Sequence, residues 1–319
     1  MNKLNVLSLF DGISCGQIAL ERAGIKVNKY FASEIDKHAI TVAQHNYPNT
    51  IQLGDVANLD VSILPKIFLL QGGSPCQSFS FAGDQNGMST TGGIDVTTLE
   101  HYLTLKEQGF KFKGQSYLFW EYVRVLTQLK PKYFLLENVK MKKKWQDIIS
   151  GVLGIEPIEI NSALVSAQNR KRLYWTNIKN VAAPQDKLIT LQDIVDSNSS
   201  SYEFLHKEES KNGVRRGTSF QYDGTGKGNN SQNYRAYFLD GKAGCLRYTA
   251  PHGAKILLLD GRIRKTTRIE HERLQNLPEG YTELVPLNKA KAAIGNGWTV
   301  DVISHIFSFL PREQVNAND

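Results

Sequence analysis

Ile67-Phe68-Leu69-Leu70-Gln71-Gly72-Gly73-Ser74-Pro75-Cys76-Gln77-Ser78-Phe79-Ser80 decides how the rest of the chain is read. Its first four residues have the composition of a buried strand. Gly72 and Gly73 permit a sharp turn at the strand's end, and Pro75 fixes φ before the chain continues. The Cys76 thiol is thereby presented just past the carboxyl end of a strand, the edge of an open α/β sheet where ligands and chemistry collect. Most cysteines are small buried hydrophobes. Here the flanking Gly, Ser, Pro and Gln are not core residues, which favours an accessible nucleophile. No CxxC spacing accompanies it, so neither a metal site nor a redox pair is expected.

Upstream lie two strand–helix units. Residues 6–10 read as a strand, residues 11–16 as a small-residue loop and residues 17–23 as a helix. Such a turn aims backbone N–H groups at a ligand, but its spacing is not the GxGxxG of a dinucleotide site. Residues 27–31 read as a second strand leading into Ala32-Ser33-Glu34-Ile35-Asp36. Glu34 follows the glycine loop at about the twenty-residue distance where nucleotide-type folds grip a ribose diol. Asp36 competes for that role, and two solvated acids are the plainer alternative. A helix over 37–45 follows, and Gly54-Asp55-Val56 closes a further unit, with Asp55 placed to accept from an adenine amino group.

Downstream, residues 82–93 have the Gly, Ser, Thr and Asn content of a mobile loop, and residues 99–109 read as a short inserted helix. Residues 118–129 form an amphipathic helix. Residues 133–139 form a buried strand that carries Glu137 at its carboxyl end, placed like Cys76. A helix-capping or solvated acid is the alternative for Glu137. Another strand is expected over 155–162. In the run that follows it, Arg170 and Arg172 alternate and so face one side, suited to bidentate contact with phosphate or carboxylate. The aromatic-apolar residues after them favour a buried setting over a solvated basic edge.

From about residue 180 to 264 the composition shifts to Gly, Asn and Ser, with arginines and lysines interleaved with tyrosines. That mixture suits a nucleic-acid surface; for residues 197–230 a solvated loop stays open as the alternative. Regular structure returns with a helix over 268–277, a short helix over 289–294, a turn over 293–299 and an apolar helix over 300–310.

The 319 residues, 41% hydrophobic, are enough for one large domain, or a large and a small one. Three scattered cysteines make no disulfide framework. The sequence has neither a signal-peptide pattern nor an apolar run of membrane-spanning length, so a cytoplasmic, reducing setting and no membrane partner are expected. The net charge of +7 favours a polyanionic partner.

In order along the chain, Phe10-Asp11-Gly12 with Gly16, Ser33-Glu34-Ile35-Asp36, Gly73-Ser74-Pro75-Cys76-Gln77, Glu137-Asn138-Val139, Gln168-Asn169-Arg170-Lys171-Arg172 and Gly295-Asn296 resemble the motifs of the DNA cytosine-5 methyltransferase family, of the bacterial and phage modification type. The resemblance covers most of the chain outside residues 84–114 and 181–240. It implies an α/β fold: a Rossmann-like sheet of the S-adenosylmethionine-dependent type over residues 1–180, a smaller target-recognition domain over 181–264, and a segment over 265–319 that returns to the first.

The resemblance further implies catalysis by Cys76, Glu137, Arg170 and Arg172. Cys76 would attack carbon 6 of a flipped-out cytosine, Glu137 would bind the ring N3 and the exocyclic amine, Arg172 would sit near O2 and the phosphate, and Arg170 would support the site and contact the backbone. S-adenosylmethionine would lie on Phe10, Asp11, Gly12, Gly16, Glu34, Ile35, Asp55, Val56, Leu118 and Asn296. Double-stranded DNA would be the partner of a monomer, with a cognate restriction endonuclease as a possible companion. RNA cytosine methylation and a silent DNA-binding relative are the competing readings. Three departures stand out: a longer segment between Cys76 and Leu118, Cys245-Leu246 in place of a Thr-Leu pair, and Gly297-Trp298 where many members have Ser-Val.

Overall fold

The computed structural model describes residues 4–75, 88–197, 214–216, 219–221, 235–248, 255–257 and 262–311. Cys76 and residues 77–87 lie outside the described residues.

A seven-stranded sheet organises the chain. Its strands are β1 (Asn5–Leu9), β2 (Lys29–Ser33), β3 (Ile51–Gln52), β4 (Leu69–Gly73), β5 (Tyr133–Val139), β6 (Ile158–Asn161) and β7 (Lys171–Thr176), in the order β3-β2-β1-β4-β5-β7-β6. From β3 to β5 all neighbours are parallel, whereas β7 runs antiparallel to both β5 and β6. The strand order reverses between β1 and β4, which opens a crevice beyond their carboxyl ends.

Both faces of the sheet are covered, because successive strand residues point to opposite sides and both sets are apolar. Val6, Leu69 and Leu135 pack with Ile18, Ile303 and Ile306 on one face. Their neighbours Leu7, Leu70 and Leu136 pack with Trp120, Trp145 and Trp175 on the other. Helix α1 (Cys15–Arg22) covers the first face, whereas α4 (Phe119–Leu129) and α5 (Lys143–Leu153) cover the second. Helix α2 (Lys37–Asn46) links β2 to β3.

Three helices end the chain: α6 (Arg268–Leu274), α7 (Leu287–Asn296) and α8 (Val300–Phe307). Helix α6 stops three residues short of the sequence expectation, and residues 275–277 form a turn in which Asn276 adopts φ +55°. The apolar face of α8 joins the α1 side of the core, and Asp301 pairs with Arg22 at 2.7 Å. Between α5 and α6 a small second sheet has the order β12-β11-β10-β9-β8. Its strands are β8 (Val214–Arg216), β9 (Ser219–Gln221), β10 (Arg235–Tyr237), β11 (Lys255–Leu257) and β12 (Ile263–Lys265).

The reading of residues 82–93 as a mobile loop is corrected for its described part. Met88, Ser89 and Thr90 are buried, and the bridges Ser89–Asp95 and Thr90–Phe112 pin this stretch. Local composition identifies turn formers but not the tertiary surface that covers them. Helix α3 (Leu99–Glu107) is held onto α4 by one carboxylate. Fully buried Glu121 accepts from Tyr102 Oη at 2.6 Å, Lys106 Nζ at 2.7 Å and Arg124 Nε at 2.6 Å. A buried carboxylate needs all of these donors to offset its lost hydration. Glu121→Ala leaves the Arg124 guanidinium short of its partner and should cost about 3 kcal/mol, read as a lowered urea midpoint with an unchanged m-value.

Candidate active site

Four strand ends meet at the sheet's carboxyl edge. After β1 the chain turns at Phe10 (φ +57°) and Gly12 (φ +59°) into α1. The N–H of Gly12 donates to Glu34 Oε2 at 2.8 Å, and the N–H groups of Ile35 and Asp36 donate to Glu34 Oε1 at 2.7 and 2.9 Å. The carboxylate beyond β2 is therefore fixed in orientation by three backbone donors, one of them from the glycine loop. Asp36, its competitor in the sequence, is spent capping α2 through the N–H groups of His38 and Ala39.

Around this edge, a Cβ on Gly12 would meet nothing within 4 Å, so the loop borders open space. A Cβ on Gly16 would fall 2.1 Å from Gln71 Nε2, so only glycine fits there. Ile35, beside the Glu34 carboxylate in the chain, is 64% exposed. Val56 is buried, while Asp55 is exposed and caps a short turn through the Ala57 N–H at 2.9 Å. Leu118, half-buried, immediately precedes α4, and Asn296 ends α7 exposed.

Asp11 is engaged by neighbouring side chains. It accepts from Tyr30 Oη at 2.7 Å and from the Ser14 hydroxyl, and Gln71 Nε2 donates to Tyr30 Oη at 2.7 Å. Gln71 Oε1 is buried without a hydrogen-bond partner among the described residues. Burial pushes the Asp11 carboxyl up to about 6, with the charge of Glu34 adding to the rise, while hydrogen bonds from Ser14, Ser8 and Tyr30 oppose it.

Beyond β4 and β5 stands the second group. Gly73 pairs with Glu137 across the sheet, and Asn138 Nδ2 donates to Ser74 Oγ at 3.0 Å and to the Ser74 carbonyl at 3.3 Å. Asn138 so fixes the exit of β4 that leads to Cys76. The Glu137 carboxylate is held at both oxygens: Arg172 Nε lies 2.9 Å from Oε1, and Trp298 Nε1 donates to Oε2 at 3.2 Å.

Arg170 and Arg172 do face one side, and both reach the Cys245 sulfur, at 3.3 and 3.6 Å. Burial alone would raise the Cys245 thiol, but the two guanidinium groups outweigh it and lower the thiol below its ordinary range. Arg170 was expected to support the site and to contact the nucleic-acid backbone. Arg170 is 4% exposed, and its guanidinium also donates to the carbonyls of Leu246 at 3.1 Å, Gly295 at 3.2 Å and Gly297 at 2.9 Å. It ties chain segments together inside the protein and presents no free face.

Sequence reasoning missed a second tie beside it. Gln168 Nε2 donates to the Leu274 carbonyl at 2.8 Å and its Oε1 accepts from the Leu246 N–H at 2.9 Å. Gln275 Nε2 donates to the carbonyls of Ile294 at 2.9 Å and Gly297 at 3.0 Å, and Thr299 Oγ1 donates to Gln275 Oε1 at 2.6 Å. The roles of Tyr30 and Trp298 were also missed. Gln71 carried a visible signal, as the one polar residue in an apolar strand run. Gln275 and Thr299 carried none, since each acts across a large sequence separation.

Linkage gives a sign for Asp11. A carboxyl raised from 3.8 to about 6 binds more protons folded than unfolded between those values, so stability falls as pH rises across that window, by up to about 3 kcal/mol. Asp11→Asn should remove this slope: its melting temperature exceeds the parent's at pH 8, and the difference disappears near pH 4.

The sequence model of the family described as C-5 cytosine-specific DNA methylase matches residues 4–147. An orphan methyltransferase, M.SPRI of Bacillus phage SPR, is 31% identical over 229 residues, covering 68% of this chain and 44% of the phage protein. The chain thus spans less than half the length of that relative. The Type II methyltransferase M.NlaX of Neisseria lactamica is 26% identical over 321 residues, covering 94% of both chains. Among solved structures, the Entamoeba histolytica methyltransferase EhMeth superposes with a TM-score of 0.68 at 16% identity, covering 100% of this chain and 99% of that one, which shows a shared fold. The stretch that builds β1 to β5 and brings Glu137 to the sheet edge, residues 4–147, is thus a C-5 cytosine-specific DNA methylase domain.

Proposed function

We propose that the protein transfers a methyl group from S-adenosylmethionine to carbon 5 of a flipped-out cytosine in DNA. The observation that carries this reading is the Glu137 carboxylate, gripped at both oxygens at the end of β5 beside the β4 exit that leads to Cys76.

The residues at the β1–β2 edge fit S-adenosylmethionine. The space beside Gly12 admits a ligand's close approach, the oriented Glu34 carboxylate suits a ribose diol, and the apolar side chains of Ile35 and Val56 would pack on adenine. Phe10, Gly16, Leu118 and Asn296 complete that set, with Asp55 beside it. Asp11 holds the loop in shape through Tyr30 and Ser14. When bound, S-adenosylmethionine supplies an electrophilic methyl group on sulfur.

The protein's own groups make cytosine receptive. Addition of the Cys76 thiolate to carbon 6 moves the C5–C6 π pair toward carbon 5, which a neutral pyrimidine does not otherwise make nucleophilic. With N3 protonated from solvent as carbon 6 is attacked, the Glu137 carboxylate accepts from N3–H and the amino group, and no net negative charge builds up on the ring. Arg172 steadies Glu137 and would bind near a pyrimidine O2, and Arg170 positions this strand from within. After methylation, loss of the carbon 5 proton re-forms the double bond and expels the thiolate. Chemistry on a base requires it to leave the duplex stack, and the net charge of +7 supports attraction to a polyanion.

The test is methyl transfer from labelled S-adenosylmethionine to unmethylated DNA of mixed sequence, with modified cytosines mapped at base resolution. Label on carbon 5 in one short sequence context is the expected result, and Cys76→Ser should lower turnover at least a thousandfold while DNA binding stays within about threefold. Label on RNA alone would overturn the DNA assignment.

A further inference from the structure

The Gly297-Trp298 departure places an indole against the site's central carboxylate. Trp298 Nε1 donates to Glu137 Oε2 at 3.2 Å, opposite Arg172 Nε on Oε1 at 2.9 Å. The room for this contact is built in at Gly73. A Cβ there would lie 2.9 Å from Trp298 Nε1 and 3.0 Å from Glu137 Oε2. Trp298 itself is anchored by what precedes and follows it. The Gly297 carbonyl accepts from Arg170 and Gln275, and Thr299 bonds Gln275. The indole is thus carried on a buried polar network to the end of β5.

We infer that Trp298 is a positioning residue for the target base, one jaw of a two-sided clamp that fixes the Glu137 carboxylate plane. This rests on the reading of Glu137 given above. A carboxylate has about four lone-pair directions, two on each oxygen. The Trp298 N–H takes one direction on Oε2, and the Arg172 guanidinium pairs with Oε1 at 2.9 Å. At least one acceptor direction remains on each oxygen, at the spacing of two adjacent N–H donors. A cytosine protonated at N3 presents that pair, N3–H and N4–H. Uracil and thymine carry a carbonyl at position 4, which would meet a carboxylate oxygen, so the clamp selects base identity as well as orientation. Without the indole N–H, the carboxylate turns about its last torsion, which is soft for Glu, and loses alignment without losing charge.

The experiment compares Trp298→Phe, Gly73→Ala and Glu137→Gln with the full-length parent on one duplex that the parent methylates. Trp298→Phe removes only the donor and keeps a ring. Gly73→Ala intrudes on the same contact while leaving the indole intact, and it serves if Trp298→Phe folds poorly. The expected result is a fall in kcat of about tenfold for each, with KM for DNA, S-adenosylmethionine affinity and melting temperature unchanged. The parent-minus-Trp298→Phe fluorescence spectrum should also shift on Glu137→Gln, because the indole loses a charged acceptor. Unchanged kcat in both clamp variants overturns the inference. A loss confined to melting temperature or to S-adenosylmethionine affinity assigns Trp298 a structural part and also overturns it. Full activity of Glu137→Gln overturns the reading of Glu137 itself, an outcome separate from any result at Trp298.

Discussion

A buried guanidinium is the constraint on which the site depends. Arg170 sits at 4% exposure, and withdrawing that charge from water is costly unless every donor finds a partner. Its acceptors come from the stretch before the small sheet ends, from the end of α7 and from the turn that follows it. Those segments must arrive together or the charge is stranded. The arrangement therefore specifies one geometry more sharply than apolar packing would, because carbonyls at hydrogen-bond distance allow little slippage. Gly295 shows how tight the closure is: a Cβ there would fall 2.7 Å from the Arg247 carbonyl carbon.

From that tie the functional groups inherit their positions. Arg170 precedes β7 directly, β7 carries Arg172, and β7 pairs with β5, which carries Glu137. The turn at Gly297 that Arg170 holds also delivers Trp298 to Glu137 from the opposite side. One buried charge thus sets both sides of the carboxylate. The cofactor-like edge is fixed by a different device, backbone N–H groups converging on Glu34.

Much of the fold was legible because the strands announce themselves. Residues 67–70 and 133–136 are apolar without interruption, as strands covered on both faces must be. Glu34 and Glu137 were legible for the same reason, each being a polar residue that ends an apolar run. Spacing also placed Arg170 and Arg172 on one side. It did not tell the inward arginine from the one facing the carboxylate, since alternation fixes a face and not the partners found there. The burial of Met88–Thr90 was hidden because Gly and Thr around it favour turns whatever covers them. Gln275, Thr299 and Trp298 act over separations that no local pattern encodes. The bond of Asp11 to Tyr30 was not legible, because Tyr30 lies on the next strand.

The packing of α8 on α1 has a consequence for biosynthesis. Every strand of the large sheet is complete by residue 176, yet the apolar side of α1 is covered by residues 300–307. During synthesis from the amino terminus, Ile18 and its neighbours wait uncovered while more than a hundred residues are added. Contacts so far apart in sequence close late and slowly. The nascent domain therefore passes through a stage in which the outer apolar side of α1 is bare and a chaperone has a defined surface to shield.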